Sequence, residues 1–191
     1  MLVAAEATGP DRNGTFNGRR KVMEIPEVLK DASLFASLSK DQRDSIVALG
    51  KVRSFEGCDV VFKQGQPADT FYVLLHGSLR LTVEHPDELD LLAETIDQRS
   101  AIFGMAALTK AARYNVTATC NNRVAAFAIE AKGLREIIRQ EPIKGLESMA
   151  ELAQLYSNRL NNARATVNTM CRIFASQSHK TGLSHVYWEA E

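Results

Sequence analysis

The chain has 191 residues, 45% hydrophobic and 24% charged, and its Lys+Arg and Asp+Glu totals are both 23. That length accommodates one domain with a full core plus an appendage, and the neutral balance excludes a non-specific nucleic-acid binder, which carries a basic excess. No apolar run approaches the length of a membrane span, and Met1 to Ala5 is too short, with no basic residue before it, for a signal-peptide core.

Residues 1 to about 20 hold Gly9-Pro10, Asn13-Gly14 and Asn17-Gly18 without periodicity, and 1–22 is read as a flexible leader. Helical signals begin near Glu24 to Lys30. A second helix has Ser39 as N-cap, with Gln42 at capping-box spacing, Ile46, Val47 and Leu49 on its apolar face and Gly50 at its end. Leu34-Phe35 just upstream is expected to pack this helical cap onto the segment C-terminal to it.

From Lys51 to Ile129 the texture changes to short β runs. The expected strands are Val52–Phe55, Asp59–Lys63, Thr70–Leu75, Ser78–Glu84, Leu89–Ile96, Tyr114–Cys120 and Arg123–Ile129. Leu79 to Glu84 alternates apolar and polar residues, as a half-buried strand does. Turn residues punctuate the runs at even spacing (Glu56-Gly57, Gln64-Gly65-Gln66-Pro67, His76-Gly77, His85-Pro86-Asp87, Asn121-Asn122). The pattern predicts a mainly β fold with helices, an antiparallel barrel or jelly roll.

One interruption breaks the β texture. Ile102-Phe103-Gly104-Met105-Ala106-Ala107-Leu108 reads as an apolar helical turn opened by glycine, followed by a loop carrying Arg113. Backbone N–H groups at a helix start attract anions, and an arginine fork grips phosphate. The same residues also read as core filler (Phe103, Ala106, Ala107, Leu108) with Arg113 a solvated loop charge, and this segment alone favours that reading.

After Glu130 the period returns to helical. Lys132 to Arg139 form a short helix with Leu134, Ile137 and Ile138 inward, stopped before Pro142. A long helix runs on from about Ile143 to Phe174, with Leu146, Met149, Leu152, Tyr156, Leu160, Ala163, Val167, Met170 and Phe174 at steps of three and four. Such a stripe predicts a parallel two-fold helix pair, a homodimer through residues 143–174. Residues 176–191 are read as a flexible tail.

Cys58, Cys120 and Cys171 are odd in number and far apart, which points to reduced thiols in a cytoplasmic protein. The four histidines show no metal-ligand spacing. No nucleophile–base or metal constellation appears, so catalysis is not expected.

Leu34-Phe35-x-x-Leu38, Phe55 and Gly57, Gly65-x-x-Ala68-Asp69-x-Phe71-Tyr72-Val73-Leu74-x-x-Gly77, Phe103-Gly104-x-x-x-Leu108, and Arg113 before a valine- and alanine-rich strand together resemble the cyclic-nucleotide-binding domain family of the catabolite-activator (Crp-Fnr) type. The resemblance covers about residues 32 to 170. It implies a double-stranded β-helix, or jelly-roll β-roll, flanked by N-terminal helices and a long C-terminal helix that dimerises and lids the pocket. The β-roll domain would span 23–141 and the long helix 142–175. A phosphate-binding cassette would lie within the roll, with Gly104 to Leu108 offering N–H groups to a cyclic phosphate and Arg113 pairing with its charge. The ligand-binding set implied is Phe103, Gly104, Met105, Ala106, Ala107, Leu108, Arg113, Tyr114 and Asn115, and the ligand cAMP, cGMP or a related anion.

Three features depart from the family pattern. Met105 stands where nucleotide-binding members carry a glutamate that accepts from the ribose hydroxyl; losing such a charge-assisted bond costs about 1.5–3 kcal/mol. The loop Thr109-Lys110-Ala111-Ala112 is short and lacks the usual Pro-Arg pair. Tyr114 and Asn115 follow the arginine where small residues and Thr or Ser are usual. Residues 175–191 contain Lys180 as their only Lys or Arg and no second helical pair, so direct DNA recognition by a helix-turn-helix is not expected. The sequence thus supports two readings: a cytoplasmic regulatory module signalling through its long helix, or a ligand-free β-roll serving as a homodimerisation or docking scaffold.

Overall fold

The structure, a computed structural model, describes residues 25–84, 91–109 and 113–180. The chain forms two compact units, Met1–Met149 and Ala150–Glu191. Expectations for the leader before Ile25, for His85 to Asp90, for the loop residues 110–112 and for the chain beyond Lys180 lie outside the described residues.

Three helices open the first unit: α1 (Ile25–Asp31), α2 (Ser33–Ala36) and α3 (Lys40–Leu49). α3 begins where the sequence says it should. The Ser39 side chain accepts from the Gln42 N–H, and the Gln42 side chain accepts from the Ser39 N–H, a complete capping box. Reciprocal capping satisfies two donors that a helix start otherwise leaves orphaned. Leu34 and Phe35 are fully buried, and the Phe35 ring meets Phe71 edge-on at 5.9 Å. The helical cap is thereby packed onto the β structure.

Eight strands come next: β1 (Lys51–Phe55), β2 (Val60–Phe62), β3 (Thr70–His76), β4 (Leu79–Val83), β5 (Leu91–Ile96), β6 (Ile102–Phe103), β7 (Thr117–Cys120) and β8 (Val124–Glu130). They form two four-stranded antiparallel sheets, ordered β1-β8-β3-β6 and β2-β7-β4-β5. This is the expected β-roll. β3 is buried along almost its whole length, which explains why Phe71 to Leu75 reads as a continuous apolar run and not as an alternation. Phe35, Phe71, Phe103 and Phe127 are the largest fully buried side chains, each contributing about 1.5–3 kcal/mol of transfer free energy.

Two elements differ from their sequence outlines. β7 begins at Thr117 rather than Tyr114, because Arg113 and Tyr114 bond to the Gly65–Pro67 loop instead of to a strand. β6 is a two-residue strand on β3, too short to leave a periodic signal.

α4 (Ala131–Gln140) buries Leu134, Ile137 and Ile138 as expected, and α5 runs from Pro142 to Lys180. α5 thus continues past Phe174, and residues 176–180, expected in a flexible tail, are helical. No glycine or proline occurs after Gly145 until Gly182, so nothing in the sequence stops the helix earlier. Within the second unit, Leu160, Val167, Met170 and Ile173 are exposed. No helix among the described residues is long and apolar enough to cross a membrane.

Candidate functional site

The site is assembled on β3. Its Tyr72 and Val73 pair with Phe103 and Ile102 of β6, which delivers Gly104 against the start of β3. Gly104 adopts φ 71°, ψ 25°, a left-handed conformation that costs an L-residue about 1–2 kcal/mol. Space is closed there as well. A Cβ would lie 3.1 Å from both the Thr70 carbonyl oxygen and Tyr72 Cδ2, and 3.5 Å from Tyr114 Cε1.

Beyond Gly104 the chain makes one 3-10 turn, Met105–Leu108. Inside it the Ala107 N–H donates to the Gly104 carbonyl at 3.0 Å and the Thr109 N–H to the Ala106 carbonyl at 3.0 Å. The Thr109 hydroxyl donates to the same Ala106 carbonyl at 2.8 Å, and the Arg135 guanidinium of α4 donates to the Ala107 carbonyl. The turn's exit carbonyls are therefore supplied. Its entry is not: among the described residues, the N–H groups of Met105 and Ala106 have no backbone acceptor.

An aromatic floor lies beneath. Phe62 stacks on Tyr114 with ring centroids 3.8 Å apart and planes 13° from parallel. Tyr72 stacks on Phe103 at 5.0 Å, and Phe62 joins the two pairs at 5.9 and 6.2 Å. The Tyr114 hydroxyl donates to the Thr70 carbonyl at 2.7 Å, so the phenol sits in apolar surroundings with its one polar atom satisfied. Burial, reinforced by Tyr72 alongside, pushes its pKa well above the ordinary tyrosine value. Burial raises Tyr72 too, partly opposed by the Arg53 charge.

Arg113 lies on the rim. It forms an isolated bridge with Pro67, its guanidinium donates to the Gly65 carbonyl at 2.7 Å, and the residue is exposed. Next to it, the Gly65 N–H donates to the Tyr114 carbonyl and the Tyr114 N–H to the Gln66 carbonyl. These bonds strap the Gly65–Pro67 loop across the approach to β7. Among the described residues Arg113 has no carboxylate partner within ion-pair distance, and the bond to Gly65 engages one of the five donors of its fork.

Of the expected ligand-binding residues, Phe103, Gly104, Met105, Ala106 and Ala107 are buried around the turn and Leu108 is half-buried. Tyr114 lies under Gly104 as part of the floor. Arg113 and Asn115 are exposed at the strand approach. Sequence reasoning missed Arg135, which caps the turn from α4; one arginine on an amphipathic helix gives no signal of a carbonyl twenty-eight residues away. Among the described residues no His, Cys, Asp and Glu cluster could hold a metal ion.

Residues 52–141 match the family model described as the cyclic nucleotide-binding domain. The chain is similar to a putative cyclic nucleotide-binding protein from Geobacter metallireducens GS-15, with 28% identity over 72% of this chain and 99% of that one and a TM-score of 0.62. It shares the fold of the sensor domain of the transcriptional regulator DNR from Pseudomonas aeruginosa, at 22% identity over 71% of this chain and 90% of that one, TM-score 0.62. It also shares the fold of the regulatory domain of Toxoplasma gondii PKA, crystallised with cAMP, at 16% identity over 70% of this chain and 49% of that one, TM-score 0.60. No curated protein matches the sequence. With its β-roll, the glycine-led turn inside it and the match across 52–141, this segment belongs to the cyclic nucleotide-binding domain family.

Proposed function

We propose that the protein is a non-catalytic, cytoplasmic regulatory module that takes cAMP, cGMP or a related phosphate-bearing anion at the Gly104–Leu108 turn and Arg113, and passes occupancy to its long helix. The observation that carries this is the turn's entry, where left-handed Gly104 precedes two N–H donors without backbone acceptors. Buried donors in that state are costly unless a partner arrives, and an anion supplies one. Arg113 adds an exposed cation on the strand approach, with no carboxylate partner among the described residues. Met105 offers no acceptor to a ribose hydroxyl, so phosphate contacts would dominate and discrimination between sugars would be weak. Phe103, Ala106, Ala107 and Leu108 shape the turn, with Tyr114 and Asn115 flanking the cation.

Binding would bias α5 by population shift, since a ligand moves an equilibrium only through its differential affinity for the two states. The exposed Leu160, Val167 and Met170 lie at steps of seven and three, the spacing of a helix-pair seam. This supports a homodimer through residues 143–174.

Calorimetry with cAMP and with cGMP tests the reading, with Arg113→Ala as control. Heat in the wild type that Arg113→Ala weakens by about tenfold or more supports it. No heat with either nucleotide overturns the named ligands.

A second reading has its own observation. Met105 is 3% exposed and Tyr114 5%, the phenol is stacked and hydrogen-bonded, and the guanidinium faces the Gly65 carbonyl. A β-roll plugged in this way serves as a ligand-free scaffold for dimerisation or docking. Saturating nucleotide would then leave Tm unchanged, whereas binding to the native state must raise it.

A further inference from the structure

Helix α4 is held at its middle and at its C-terminal end by polar bonds that its amphipathic pattern does not require. Its inner face is apolar, with Leu134, Ile137 and Ile138 buried. Gly133 admits Leu49 of α3 so closely that a Cβ would lie 2.6 Å from Leu49 Cδ2. At the far end, the buried Gln42 of α3 donates its amide to the Ile137 carbonyl at 3.0 Å. Ser39 donates to the Glu141 carboxylate at 2.6 Å; this bond and nearby Lys144 hold the Glu141 pKa below the ordinary carboxylate value. The Ser37 and Ser148 hydroxyls pair at 3.1 Å, the latter residue fully buried. Three bonds from the α2–α3 segment thus bracket the junction between α4 and α5.

The other tie runs to the Met105–Leu108 turn. Ala106 has both its donors from Thr109, a neighbour in sequence. Ala107 takes its donor from Arg135, the one polar link between the turn and α4 among the described residues. Arg135 is half-buried, and its planar fork fixes the direction of approach as well as the distance. Any shift of the Ala107 carbonyl must either carry α4 with it or break that bond. Moving α4 in turn loads the bracket at Ile137 and Glu141. A tie with two discrete outcomes is what coupling through a packed element requires.

We propose that Arg135 is the positioning residue that ties the turn to α4, so that displacement of the turn is felt at the Glu141 junction and not only locally. The liganded half of this proposal rests on the turn being a ligand site; the unliganded half does not.

Hydrogen exchange on the full chain separates the two. Without ligand, Arg135→Ala is expected to speed exchange about tenfold both at the amides of Ala107 to Thr109 and at those of Ile138 to Glu141. Arg139→Ala, on the exposed end of the same helix, should do neither. Arg135→Lys, which keeps charge but loses the fork, should fall between. Faster exchange in the turn with the Ile138–Glu141 amides unchanged overturns the proposal, because Arg135 would then be a local cap. A junction that loosens equally in Arg139→Ala overturns it as well.

In the second arm the probe is saturating cAMP. With cAMP raised until it saturates the variant, Arg135→Ala is expected to keep the ligand-induced change in protection in the turn while losing the wild-type change at Ile138 to Glu141. An unaltered junction response in the binding-competent variant overturns the coupling. Absence of cAMP binding to the wild type overturns the ligand reading and leaves the first arm to decide the tie.

Discussion

Of the three left-handed glycines in this β-roll, Gly77 and Gly104 lie in turns that are finished in opposite ways. Gly77, at φ 96°, lies in the turn that takes the chain from β3 in one sheet to β4 in the other, and its neighbours saturate one another. The Ser78 N–H donates to the Asn122 side chain at 2.9 Å, the Asn121 amide to the Ser78 hydroxyl at 3.0 Å, and the Asn121 N–H to the Ser78 carbonyl at 2.9 Å. Gly104, at φ 71°, opens the 3-10 turn, whose exit carbonyls are capped by Thr109 and Arg135 while its entry donors have no backbone acceptor among the described residues. The first turn commits its polar groups to the fold. The second keeps two in reserve, and that asymmetry marks the site more sharply than the glycine does.

The comparison is tested most severely by adding one methyl to each. At Gly77 a Cβ would lie 2.3 Å from the Arg123 carbonyl oxygen and 2.9 Å from Val124 Cα, both backbone and unable to yield. Backbone strain and overpacking together predict that Gly77→Ala destabilises by about 3 kcal/mol in denaturant unfolding, with nucleotide binding intact in whatever remains folded. At Gly104 the contacts are 3.1 Å, one of them with an aromatic ring edge. Gly104→Ala should therefore cost less, about 2 kcal/mol, while abolishing calorimetric binding of cAMP or cGMP. If Gly104→Ala costs more stability than Gly77→Ala and leaves nucleotide heat untouched, the assignment of the two turns is reversed.

The roll was legible because its signals are local and redundant. Spaced turn residues mark the strands, and Ser39 with Gln42 announces the start of α3. The Phe103-Gly104 dipeptide announced a special turn, because few residues besides glycine tolerate that conformation. What stayed hidden depends on tertiary direction. Tyr114 reads as a strand residue, yet it turns under Gly104 because its backbone is strapped to Gln66 and Gly65. Arg113 reads as a phosphate ligand, yet in this structure its guanidinium bonds the Gly65 carbonyl. β6 and the Arg135 cap arise from contacts distant in sequence, which no period of two or 3.6 encodes.

Tyr114 sharpens the comparison on the floor side, since only the Gly104 turn rests on a buried phenol. Tyr114→Phe keeps the stacking on Phe62 and loses the bond to Thr70, a cost of about 1 kcal/mol at pH 7. The pH dependence has a definite sign. Burial raises the folded-state pKa of Tyr114, so the native state holds a proton that the unfolded chain releases. The associated stability is fully present below the unfolded tyrosine value of about 10 and is lost as pH rises through the folded one. Cys120 adds the same sign over a lower window, its thiol pushed up to about 11 by burial and by Asp59. Denaturant unfolding between pH 8 and 11 should show wild-type stability falling, and falling less steeply in Tyr114→Phe. Equal slopes in the two proteins would mean the phenol is not desolvated.

The smallest effect runs in the opposite direction and concerns a left-handed position that is not glycine. Ser100 has φ 69° and is buried, with its N–H donating to the Leu74 carbonyl at 2.9 Å while the Leu74 N–H donates to the Ala101 carbonyl at 2.8 Å. The conformation is imposed by that close pairing of β3 with the approach to β6, and serine bears the strain. Ser100→Gly removes the steric cost of a left-handed L-residue but adds unfolded-state entropy, leaving a net gain of about 0.5 kcal/mol. A higher denaturant midpoint with unchanged slope would place Ser100 with Gly77, as a turn serving only the fold. If the variant gains stability and loses nucleotide heat, the strain at Ser100 helps to set the position of β6, and with it the Gly104 turn that β6 carries.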